Sequence, residues 1–223
     1  WSNYAEAWTN GNVGRYFFNT VVVTFATVVF TVVFSAMAAY AITRLKWKFS
    51  RTALTLFLMG LMIPIHCALL PLFLTYVKLN LLNTYFCLIL PYTAFALPLA
   101  IYVFAGYMEG IPREMEESAL LDGCNIYKCF LHIILPMLKP VVATVTILTF
   151  INTWNEFMLA SIFTTKTSMK TLTVGVQEMV GQFTTNWGPV GASLVLASLP
   201  TLVIYILMSK QVQKSFISGA MKG

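Results

Sequence analysis

Charge is what this sequence has least of. Asp, Glu, Lys and Arg together make up 10% of 223 residues, while apolar side chains make up 58%. A soluble domain carries roughly 25% charged residues, so a single water-soluble core is excluded. Residues 17–42 contain no charge, and a bilayer core asks for about 20 apolar residues per helix. Histidine is also scarce: His66 and His132 are too few for the acid–base constellation of a membrane enzyme. The cysteines Cys67, Cys87, Cys124 and Cys129 form no C-x2-C pair, so a zinc site is not indicated. No G-x4-G-K-[ST] phosphate loop occurs, so the chain lacks that means of holding ATP. The net charge of +6 does not point to nucleic acid, because the basic residues sit between apolar runs.

What is present is a set of long apolar runs, read as five spans at about 17–42, 52–77, 82–107, 138–161 and 190–209. Pro64 and Pro71, Pro91 and Pro98, and Pro200 interrupt them, which predicts kinked, packed helices. Ten basic residues fall on one side of these spans: Arg44, Lys46, Lys48, Arg51, Arg113, Lys128, Lys139, Lys210, Lys214 and Lys222. Only Arg15, Lys78, Lys166 and Lys170 fall on the other. The positive-inside rule puts the first set, and with it the C-terminus, in the cytoplasm. Ionisable groups inside the spans are almost missing. His66 reads as a packing histidine, and Glu156 as either an interfacial acid or a functional one.

The most informative stretch is residues 108–136. Pro112 suits a first helical turn, and Glu114, Glu116 and Glu117 favour its positive end. Gly123 is placed to end that helix in the left-handed conformation, and Asn125 to cap the next. Ile126, Phe130, Ile133 and Ile134 then fall on one helical face, and Pro136 marks an end or a kink. Five of the eight acidic residues lie between positions 109 and 122. An ordinary solvated loop has no need of such ordered start, stop and restart signals.

Glu117-Ser118-Ala119, then Gly123, then Ile133 and Leu135-Pro136 resemble the EAA loop of binding-protein-dependent ABC importer permeases, E-A-A-x3-G-x9-I-x-L-P. Ser118 for the middle alanine is the one departure, and it is still small. Asn3-Tyr4, Phe18-Asn19-Thr20, Thr153-Trp154-Asn155-Glu156-Phe157, Lys170-Thr171-Leu172-Thr173 and the ending Gly219-Ala220-Met221-Lys222-Gly223 are similar, in order, to segments of the maltose-type carbohydrate permeases. The resemblance implies an all-α polytopic membrane protein with the type I ABC importer transmembrane-domain fold. It implies six spans, of which five are visible, the first helix preceding Trp1. On that reading residues 1–209 are the permease domain, 108–136 its EAA coupling loop and 210–223 a cytoplasmic tail.

The function so implied is that of a non-enzymatic permease subunit in the cell membrane, forming half of the pathway for a sugar or oligosaccharide. The expected partners are a second permease, two ATPase subunits that bind ATP and Mg, an extracytoplasmic solute-binding protein and membrane lipid, with no nucleic acid. No cofactor is expected in this chain. Arg113, Glu114, Glu117, Ser118, Ala119, Asp122, Gly123, Ile133, Leu135 and Pro136 are the candidate coupling residues, with Ser118 and Ala119 allowing close approach. Gly219, Ala220, Met221, Lys222 and Gly223 are candidates for an ATPase-interface tail. Asn152, Asn155 and Glu156 share one helical face at i, i+3 and i+4 and either line the pathway or bond to a neighbouring helix. Residues 161–189 form a long polar outer loop, read as a contact to the binding protein or a plain connector. A non-sugar solute such as a polyamine or phosphonate stays open, and a secondary transporter is the weaker alternative, given so little buried charge.

Overall fold

The computed structural model describes residues 1–45, 47–181 and 185–220, the last thirteen as backbone alone. Helices account for its regular structure, and no strand occurs among the described residues. A short helix α1 (Ser2–Thr9) leads through Asn12, at φ 54°, into the long α2 (Val13–Thr43). The expected second span is two helices, α3 (Ser50–Met59) and α4 (Leu69–Lys78). Two 3-10 turns separate them, with Ile63 and Pro64 extended between (ψ 110° and 131°). Pro64 is the cause: it lacks an N–H and forces the preceding residue out of the helical region. The helix α5 (Phe86–Glu109), by contrast, runs through both Pro91 and Pro98.

After α5 come α6 (Glu114–Leu121), α7 (Ile126–Cys129), a π-helical turn (Phe130–Ile134) and α8 (Leu135–Met137). The helix α9 (Lys139–Trp154) follows at 74° to the preceding segment. Helices α10 (Met158–Phe163) and α11 (Leu172–Glu178) precede α12 (Trp187–Ala220). Three helices are each long and apolar enough to cross a bilayer: α2, α5 and the Trp187–Leu207 part of α12. Two broken pairs, Ser50–Met62 with Ile65–Lys78 and Ile126–Met137 with Lys139–Trp154, raise that to five.

The chain packs as two compact units. One comprises Trp1–Val28, Pro64–Thr93 and Thr149–Leu207. It holds a core around Tyr76, Leu88, Leu159 and Phe163, and another around Tyr16, Phe150, Trp154 and Leu172. Trp154 stacks on Phe150, and its indole N–H donates to the Ala197 carbonyl at 3.0 Å. Gly175 is required here, because a Cβ would lie 2.0 Å from the Tyr16 ring. The other unit comprises Val29–Ile63, Ala94–Leu148 and Met208–Gly223. Its core joins Ala36, Ala39 and Tyr40 to Ala100, Phe104 and Met108, with Ile134, Leu138 and Val141. The alanines let helix backbones approach closely, which is how packing holds helices together in lipid. Some hydroxyls on α2 are satisfied by their own helix, Thr20 donating to Tyr16 O and Thr43 to Ala39 O, whereas the buried Thr24, Thr27 and Thr31 hydroxyls have no partner among the described residues.

Three expectations are corrected by the backbone. The face of Ile126, Phe130, Ile133 and Ile134 does not form, because the π turn adds a residue to the helical repeat. The buried positions are Cys129, Ile134 and Leu138, while Ile126 is 47% exposed. The expected span 138–161 stops at Trp154 and restarts at Met158. The stretch 161–189 is not a plain loop: it contains α11, whose Leu172, Val174, Gly175 and Val176 are buried.

Candidate functional site

The loop after α5 folds as its local signals direct. Helix α6 carries Glu114, Glu116 and Glu117 in its first turn, opposite the partial positive charge of its free N–H groups. It ends where Gly123 enters the left-handed region at φ 84°. The Cys124 N–H then bonds to Ala119 O and the Gly123 N–H to Leu120 O, at 3.0 and 3.1 Å, which satisfies two terminal carbonyls. A side chain at 123 would meet nothing within 4 Å, so glycine is demanded there by conformation and not by space. Asn125 restarts the chain by accepting from the Lys128 N–H at 2.9 Å.

The candidate coupling residues divide by exposure. Glu114, Glu117, Ser118, Asp122 and Gly123 are exposed, as is Arg113 at the N-cap. Ala119, by contrast, is 7% exposed and faces its own chain. Apolar side chains the sequence reading passed over stand outside instead: Met115, Leu120, Tyr127 and above all Leu121, at 89% exposure. Leu120-Leu121 beside a helix-ending glycine is the signal that was available. Ile133 is half-buried, while Leu135 and Pro136 line an apolar groove of about 600 Å³ with Val32, Val33, Ala36 and Met37 of α2.

Arginines hold this helix to its neighbours. Arg113 donates to the Thr43 carbonyl at 3.3 Å. Arg44, which the sequence offered only as a topogenic charge, is buried and donates to the carbonyls of Met108 and Ile111 at the end of α5. It also faces Glu116 at 3.7 Å. Burial raises the Glu116 carboxyl above its ordinary value; Arg44 and Arg113 oppose the shift, and Glu117 adds to it.

The residues proposed for a pathway lie elsewhere, and their shared helical face ends with α9 at Trp154. Asn152 and Asn155 are exposed, with Asn155 donating to Ile151 O at 2.8 Å. Glu156 is occupied. Its carboxylate accepts from the Leu159 and Ala160 N–H groups at 2.8 and 3.2 Å, which caps α10, and from the Tyr92 hydroxyl. Its carbonyl accepts from Thr173 at 2.8 Å. The motif residues Asn19 and Thr20 meet the segment around Lys170. Asn19 donates to Ser168 O and Lys170 O at 3.0 and 2.9 Å, and Thr20 accepts from the Leu172 N–H at 2.8 Å. Asn83, which no sequence signal singled out, accepts from the Lys166 N–H at 2.7 Å while held at φ 59°. Of the tail, Gly219 and Ala220 continue α12 as backbone, whereas Met221, Lys222 and Gly223 lie outside the described residues, as does Lys46.

This arrangement of kinked apolar helices with an exposed helix–glycine–helix loop is the transmembrane-domain fold of ABC importers. A solved bacterial ABC transporter involved in import of the acidic polysaccharide alginate has it, with a TM-score of 0.84 over 94% of this chain and 78% of that one, at 22% identity. Residues 31–218 match the family of binding-protein-dependent transport system inner membrane components, and the chain belongs to that family. It is 39% identical over 221 residues to the probable ABC transporter permease YurM of Bacillus subtilis, covering 99% of this chain and 73% of YurM. It is 33% identical to the sulfoquinovosyl glycerol permease SmoH of Agrobacterium fabrum, over all of this chain and 78% of SmoH. The chain is thus a multi-pass membrane permease of an ABC importer.

Proposed function

We propose that this permease forms half of the pathway for a sugar or oligosaccharide, and that residues 113–122, turned at Gly123, dock on ATPase subunits and transmit their motion. The observation that carries the reading is α6 itself: an eight-residue helix, stopped by a left-handed glycine, that presents Met115, Leu120 and Leu121 to solvent beside Glu114 and Glu117. Exposed apolar side chains rimmed by charge mark a surface built to be covered. The ten-to-four division of basic residues puts this loop and the C-terminus in the cytoplasm, where ATPases work. With no phosphate loop in the sequence, ATP and Mg belong to the partners. A second permease completes the pathway, and a solute-binding protein delivers cargo from outside. The sugar assignment rests on the order of the minor motifs and on the likeness to a permease for a glycosylated glycerol.

The test is Gly123→Val and Glu117→Lys in the assembled complex, scored separately for ATPase co-purification, ATP hydrolysis and uptake. A β-branched residue at φ 84° costs about 1–2 kcal/mol, too little to unfold the permease but enough to turn the coupling helix away. Uptake should collapse, with ATPase subunits lost or hydrolysis detached from transport. Wild-type import by both variants with a full ATPase complement would remove the loop from the mechanism.

A further inference from the structure

Beneath the exposed face of α6 lies an ion pair that is not closed. The Arg44 side chain is 4% exposed and that of Glu116 13%, yet Nη1 and Oε2 stand 3.7 Å apart, beyond hydrogen-bonding distance. Arg44 Nε and Glu116 Oε1 are buried, and neither has a hydrogen-bond partner among the described residues. Such atoms are expensive to leave unmade, and a guanidinium beside a carboxylate normally draws in to about 2.7–2.9 Å. The gap is held by the elements that carry the two groups. Arg44 Nη2 is engaged by the Met108 and Ile111 carbonyls, the latter at 2.7 Å, at the end of α5. Glu116 is fixed in the first turn of α6, whose N-cap Arg113 reaches back to Thr43 O at the end of α2. A movement of α6 by roughly 1 Å would close the pair. Elements with two discrete packings, not continuous deformation, are what turn small shifts into a switch.

We infer that Arg44 and Glu116 form a two-position latch: open in this conformation, it closes into a hydrogen-bonded pair when α6 is displaced, and so passes that displacement to the ends of α2 and α5. The inference rests on the reading of α6 as the ATPase contact. Arg44 is then a positioning residue, since it touches neither solute nor nucleotide.

The experiment uses the whole reconstituted importer, with its ATPase subunits and its binding protein, and compares Glu116→Gln, Arg44→Lys and the double variant. Glu116 lies on the covered side of α6, away from its docking face, and Glu116→Gln keeps the shape and removes only the charge at the 3.7 Å contact, so the ATPase subunits should co-purify in wild-type amount. Solute imported per ATP hydrolysed should fall about five- to hundredfold, the usual range of a coupling between sites. Arg44→Lys replaces a fork whose two nitrogens face the carbonyls and the carboxylate separately by a single point charge, and should lose coupling similarly. The double variant should be no worse than the poorer single one, because both break the same interaction. A purely structural role would lower yield and melting temperature while leaving the import-to-hydrolysis ratio of the assembled fraction unchanged, and that result overturns the latch. Should Arg44→Lys fail to assemble, Glu116→Gln alone decides. Normal coupling in Glu116→Gln alongside failure of Gly123→Val would sink the latch and leave the docking reading standing.

Discussion

In the loop after α5, Gly123 holds φ at 84° and Asn125 accepts from the Lys128 N–H, while Arg44 ties the end of α5 through the Ile111 carbonyl. Gly123 and Asn125 were legible because their roles are local: a positive φ and a cap depend on the residue and its immediate neighbours. That Ala119 is buried while Ser118 beside it is exposed was not legible, because the side of α6 that faces solvent is decided by what packs beneath it. The cysteines carry the same lesson. Read as two thiols of one cytoplasmic loop, Cys124 and Cys129 look equivalent; folded, Cys129 is 1% exposed and Cys124 is partly open. A membrane-impermeant maleimide should therefore label Cys124 from the cytoplasmic face of inverted vesicles and leave Cys129 unmodified until the protein is denatured. The measurement is best made on permease freed of ATPase, which would shield the loop. Labelling of Cys124 from outside intact cells would reverse the proposed orientation.

At the scale of elements, proline and an acid decide where helices break. Pro64 divides the second span, whereas Pro91 and Pro98 do not stop α5, so proline alone does not foretell a break. Between α9 and α10 the interruption at residues 155–157 is stabilised by Glu156, which caps α10 and holds the Tyr92 hydroxyl. Glu156→Ala would strand two N–H groups and a phenol, at about 1–3 kcal/mol for each group left buried without a partner. Its melting temperature in detergent should drop clearly, while KM for the solute moves little in the surviving fraction. A raised KM at unchanged melting temperature would return Glu156 to the pathway. Periodicity could not reveal this, since the i, i+4 spacing that grouped Glu156 with Asn152 assumes a helix that ends at Trp154.

For the molecule as a whole, the C-terminus is the clearest prediction. The sequence suggested a tail separate from the last span, but α12 runs unbroken from Trp187 to Ala220, thirty-four residues in which a span of about twenty needs only the first part. A helix of this length carries its end roughly 20 Å past Leu207, at 1.5 Å per residue. Removing residues 220–223 should leave the complex assembled but change how strongly the loaded binding protein stimulates ATP hydrolysis. Unaltered stimulation and uptake would show the end of the chain to be dispensable.

Composition and hydropathy by themselves determined that the chain is membrane-embedded and helical, because a bilayer leaves a polypeptide few other ways to satisfy its backbone. The spacing of glutamate, glycine and proline determined where the helix–glycine–helix loop would start, stop and turn, because caps and left-handed residues act over a few positions. Tertiary structure alone decided which side of α6 is free. It also decided that Asn19 and Thr20 would meet residues about 150 positions away, and that Arg44 would be a buried tie to the end of α5. These depend on which helices lie side by side, and contact between distant segments leaves no period in one sequence.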